Sequence, residues 1–257
     1  MNPPPQTPER ELLARARRIH PEALAGIEAE IEACHELSAW KRAAEVAPFL
    51  LIYLSGAWLA SREGAGWLPA TAGVLLMGVA MNTLGILIHE GLHGLLARSP
   101  VTNHFLGFLC GVPLLMSAAA YRTTHISHHF EFGRAMDYGT YRQHLKRPSL
   151  VWAAYLLQLV FGSINYIVLI PFLAWSSASP RFRLLILAEL FLIAGFAALM
   201  IHAFPLESLW IHWWAPSLVM MALTNLRGLA SHALGDTEDV YLSSRTIRSS
   251  PLVGFLF

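Results

Sequence analysis

The strongest constraint on this chain is a stretch of 25 residues, Gly64 to Ile88, with no Asp, Glu, Lys or Arg. As a helix rising about 1.5 Å per residue it would cross the roughly 30 Å hydrocarbon core of a bilayer. It is not alone. Val46 to Ser61, Ser99 to Tyr121, Ser149 to Pro180 and Leu209 to Leu226 also lack all four charged residue types, and Leu184 to Leu206 carries only Glu189. Charged residues make up 14% of the chain, against roughly 25% in soluble domains, and mean hydropathy is +0.47. A disordered chain is excluded, and the composition argues strongly against an ordinary soluble enzyme. A formal net charge of +1 offers no footprint for nucleic acid. Two cysteines, Cys34 and Cys110, are too few for a disulfide scaffold or a zinc ribbon.

Residues 1–43 are polar and form an N-terminal arm. Leu12, Leu13, Ile19, Ile27, Ile31 and Leu37 recur at spacings expected of short amphipathic helices lying on a membrane surface. The membrane region then occupies residues 44–257.

Six apolar runs need not mean six crossings, and basic residues tend to stay on the cytoplasmic side. If the arm is cytoplasmic, two crossings return the chain inside at His89. The runs around 99–121 and 149–180 are then expected to be embedded without crossing, the second as a shallow hairpin interrupted near Pro171. The last two runs cross and return. This arrangement leaves only Arg62 of the 18 basic residues outside. The expected fold is an all-α integral membrane protein, with about four transmembrane helices, two embedded segments and a cytosolic histidine-rich cap.

That parity collects histidines on one face. His89, Glu90 and His93 form an HExxH pattern at the inner end of the second run. Histidines at i and i+4 stack on one helix face and can offer two imidazoles to one metal. Taken alone the pattern fits zinc, with Glu90 as general base. His125, His128 and His129 form a second cluster at i, i+3 and i+4. Five imidazoles are too many for one four-coordinate ion that keeps an open position, and suit two metals better. His232, just beyond the last run, falls on the same face and joins the candidates. His202 and His212, among Trp210, Trp213 and Trp214, read as interfacial. His20 and His35 belong to the arm, and His104 and His144 lie outside the ligand spacings.

The order of His89-Glu90-x-x-His93, Tyr121-Arg122-x-x-His125-x-x-His128-His129 and Asp137 resembles the integral-membrane fatty acid desaturase and hydroxylase family. The stretch from Arg227 to Arg248, with His232, is similar to the segment preceding that family's last histidine box. The resemblance covers roughly residues 44 to 257. It implies a non-haem centre of two iron ions held by His89, His93, His125, His128, His129 and His232. It also implies O₂ as oxidant and a fatty acyl or other lipid substrate. Glu90 and Asp137 are candidates to orient ligand imidazoles through their second ring nitrogen. Asn225 and Arg227 fall where the family has polar residues near the metals, and Ser231 stands in place of a glutamate. With no GxGxxG or CxxC in the chain, electrons are expected from an external donor of the ferredoxin or cytochrome b5 type. A third histidine box is missing before Leu252-Val-Gly-Phe-Leu-Phe257, so a C-terminally truncated member is expected. Desaturation, lipid or carotenoid hydroxylation and ketolation share these ligands. The remaining alternatives are an intramembrane zinc protease using His89, Glu90, His93 and a third ligand such as Asp236, and an inactive truncated member.

Overall fold

A computed structural model describes residues 39–62, 64, 66–131, 145–232 and 250. Every regular element among them is helical, with no strand. In chain order these are α1 (Ala39–Ala60), α2 (Trp67–Leu92), α3 (Pro100–Gly111), α4 (Ala118–Glu131), α5 (Pro148–Ile164), α6 (Ile170–Ser177), α7 (Pro180–Ala203), α8 (Leu206–Leu209) and α9 (Ala215–His232). Among the described residues two helices, α2 and α7, are each long and apolar enough to cross a membrane, and the number reaches four if each of two bent pairs counts as one span. Side chains such as Trp67, Leu184 and Phe191 face outward over most of their surface. In water such a surface would be an aggregation hazard, and in a bilayer it meets acyl chains. Helix α1 begins at Ala39 and runs through the expected arm boundary at 43–44, with its apolar part confined to Val46–Ala60.

Small residues let the helices approach closely. A Cβ on Gly73 would lie 2.5 Å from the carbonyl oxygen of Gly56, which sets α1 backbone to backbone against α2. Helix α9 runs alongside α2 in the same direction: Gly78 faces Pro216 and Val219, while Thr224 donates to Asn82 Oδ1 at 3.0 Å. Asn82 and Asn225 are buried polar groups, and Asn225 is matched by Gln158 on α5. Its Nδ2 donates to the Gln158 carbonyl at 2.9 Å and its Oδ1 accepts from Gln158 Nε2 at 3.0 Å. Buried amides need such partners, because each unpaired one costs about 1–3 kcal/mol.

Both runs expected to be embedded are bent. Residues Pro100–Leu114 and Ala118–His129 meet at 104°, and Pro148–Leu159 and Phe161–Ser177 meet at 87°. The first bend follows a 3₁₀ turn at Val112–Leu114 and a left-handed Leu115 with φ 57°. The second corrects the sequence expectation, since it lies at Phe161 and not near Pro171. Phe161 leaves helical geometry at φ −109°, ψ 16°, beside Gly162, which packs against Asn225 and Met221 of α9. Pro171 follows a π turn at Asn165–Leu169 and lies within continuous helical backbone at the start of α6, without a break. The arm up to residue 38, His144, Asp137, Asp236, Arg245, Arg248 and the terminal residues 251–257 lie outside the described residues, as do the side chains of Ser231 and His232.

Candidate metal centre

Helix α2 delivers the first pair of histidines and α4 the second. The start of α4 is fixed by two caps. Ser117 Oγ accepts from the Ala120 N–H at 3.1 Å, and a carboxylate oxygen of Glu189 on α7 accepts from the Ala119 N–H at 2.9 Å. Two of the four orphan donors of that helix are thereby satisfied. One turn into α4, Arg122 donates to the carbonyl of Leu92, the last residue of α2. A cation at a helix C-terminus satisfies an orphan carbonyl and complements the helix dipole. It also ties α4 to the turn carrying His89 and His93.

The ligand atoms of His89, His93, His125 and His129 all lie within 4.8 Å of one another, and each residue is partly buried. His125 is central. Its Nε2 is 2.9 Å from His93 Nε2 and 2.9 Å from His129 Nε2, and its ring centroid is 4.6 Å from that of His89. A ring nitrogen holds one proton or one lone pair, so one Nε2 cannot serve two such neighbours as a hydrogen bond. Positive charge on all four rings would add mutual repulsion. A cation between the nitrogens removes both conflicts. Imidazole nitrogens sit roughly 2.0–2.1 Å from a divalent ion such as zinc, so two ligands of one ion can be about 4.2 Å apart. The observed spread closes on an ion with small side-chain shifts. The donor set, all imidazole, suits iron, copper and zinc.

Of the six histidines proposed from the sequence, four converge. His128 lies beside them, with its ring centroid 6.2 Å from that of His125, and is not among the four. His232 is the last residue of α9. Glu90 Oε1 lies 3.4 Å from His89 Nδ1, a long contact. Three further residues bear on the site. Arg227 on α9 places its positive charge where His89, Glu90 and Tyr121 feel it. Tyr121 packs edge-on against His125 at 5.4 Å and against Tyr166 at 5.2 Å. His104, outside the ligand spacings, is bonded to Glu189 at 2.6 Å. The sequence carried one signal for that pair, a single carboxylate inside an apolar run, and such groups are seldom idle.

No curated protein matches this chain. Residues 65–257 match the model of the fatty acid desaturase family, more than half of the chain and the whole of the histidine cluster. An all-helical apolar body, four imidazoles converging from two helices and that match lead to one assignment: this chain belongs to the fatty acid desaturase family.

Proposed function

We propose that this chain is a membrane-bound desaturase that removes two hydrogens from adjacent methylenes of a fatty acyl chain. O₂ takes up four electrons, two from the substrate and two from a separate donor of the ferredoxin or cytochrome b5 type, and leaves as two waters. Two iron ions would supply the strong oxidant that an unactivated methylene requires. His89, His93, His125 and His129 would hold metal, and His128 and His232 are the further ligands that a second ion calls for. Glu90 would orient His89, and Asp137 another ligand ring. The protein's own task is to keep the acyl chain in register and dry, each buried CH₂ adding about 0.8 kcal/mol to binding. Residues 44–257 would form the catalytic membrane domain, with residues 1–43 as an arm on the cytoplasmic face.

The convergence of the second cluster onto the first carries this reading. A zinc protease would use His89 and His93 with Asp236 and leave His125 and His129 without a role. Elemental analysis of the detergent-purified chain is the test, with close to two irons per chain expected. One tightly held zinc per chain would overturn it. Lipid extracts from cells expressing the chain should gain a double bond, and a gained hydroxyl or keto group would instead move the assignment to a hydroxylase or ketolase.

A further inference from the structure

We propose that Glu189 and His104 form a brace that fixes the start of α4, and through it the position of His125 and His129 opposite His89 and His93. Glu189 is 3% exposed within α7, a helix apolar enough to cross a membrane. A carboxylate there survives only if its lone pairs are taken. They are taken three times. Glu189 Oε2 accepts from Ser117 Oγ at 2.7 Å and from the Ala119 N–H at 2.9 Å, and Oε1 accepts from His104 Nε2 at 2.6 Å. Anionic charge at a helix N-terminus is also favoured by the helix dipole. Around it Ala119 and Ala120 are fully buried against Ala174 and Ile186, so the start of α4 has no room to drift.

The neighbour of His104 completes the device. Asn103 on α3 donates from Nδ2 to the Gly91 carbonyl at 2.6 Å and accepts the Leu96 N–H at 2.9 Å. Consecutive residues of α3 thus hold the end of α2 and, through Glu189, the start of α4. Those two helices carry the two halves of the histidine cluster. From Ala119 to His125 is six residues, about 9 Å along the helix, so a shift or tilt at the capped end is transmitted to the imidazoles. Among the described residues Glu189 is bonded to His104, Ser117 and Ala119 and to none of the four converging histidines, and its role is positioning.

The inference rests on the metal-binding reading above, and the test separates the two. Full-length wild type, E189Q and E189L are purified in detergent, titrated anaerobically with Fe²⁺ against a chelator, and followed by hydrogen exchange and thermal unfolding. Leucine suits an apolar helix at least as well as glutamate, so E189L should fold. It should bind Fe²⁺ about tenfold more weakly, the loss typical when a group that orients ligands is removed. Amides of residues 118–125 should exchange about tenfold faster, with the rest of the chain unchanged. E189Q keeps an acceptor for Ser117 and Ala119 and an amide for His104, and should restore both quantities. Wild-type Fe²⁺ affinity and exchange in E189L would overturn the brace. So would loss spread over the whole chain with a lower unfolding temperature, or E189Q behaving as E189L does. If wild type itself takes up no Fe²⁺, the metal reading fails, and the exchange experiment alone decides the brace.

Discussion

At the scale of single residues the cluster is not symmetric, because His125 Nε2 is the atom shared between His93 and His129. Replacing it removes the centre of the arrangement, whereas His128 lies outside the four. H125A should therefore lose tight metal binding outright, and H128A should retain an ion on the four converging imidazoles while losing part of the second. Metal per chain, measured after the same chelator wash, checks both, and equal losses would contradict the asymmetry. E90A should weaken binding by roughly 10–100-fold if the contact with His89 orients that ring. Wild-type affinity in E90A would mean the 3.4 Å contact carries nothing. The four converging histidines were legible because i,i+3 and i,i+4 spacings assign side chains to one helix face without reference to the rest of the fold. Spacing could not choose between His128 and His129, which share a face with His125 almost equally. Beyond the lone carboxylate in an apolar run, the pairing of His104 with Glu189 was not legible, since its partners are 85 residues apart and meet only once α3 and α7 are packed.

At the scale of helices, backbone contact decides what can be changed. A side chain at Gly73 would meet Gly56 O at 2.5 Å and Ala60 N at 2.8 Å, both backbone atoms that cannot swing aside. G73V should lower the unfolding temperature in detergent, consistent with a cost of about 1–3 kcal/mol for overpacking. Gly195 on α7 has open space where its Cβ would go. G195A should be neutral or stabilising by up to about 1 kcal/mol, because alanine is the better helix former. A larger loss in G195A than in G73V would sink this account of the packing. The helices themselves were foreseeable from the charge-free runs. The position of the bend in the 149–180 run was not, because a proline signals a break from its own chemistry alone. Phe161 bends where Gly162 meets Asn225 and Met221 of α9, a contact no local pattern encodes.

At the scale of the whole molecule the contacts define two ends. One holds the termination of α2 and both ends of the α3–α4 pair: Asn103 is bonded to Gly91, and His125 and His129 lie against His89 and His93. A pair that starts and finishes beside the end of α2, with a 104° bend between, fits either a broken span or a re-entrant loop. The other end joins the α1–α2 turn to the segment before α9. Ser61 Oγ contacts His212 Nε2 at 2.7 Å, and Tyr53 donates to the His212 carbonyl at 2.6 Å. The placement expected from the basic residues put Arg62 alone outside, and Arg62 adjoins that second end. On the proposed topology the two ends face opposite sides, because arginine placement during insertion and helix packing afterwards must satisfy one arrangement. Exposed Arg98 and Arg62 therefore make good reporters. With Cys34 and Cys110 replaced, a cysteine at Arg98 in sealed inverted vesicles should react with an impermeant maleimide. A cysteine at Arg62 should react only after the vesicles are opened. Equal labelling of both in sealed vesicles would break the two-ended reading, and the reverse pattern would keep the parity while turning the histidine cluster to the outer face.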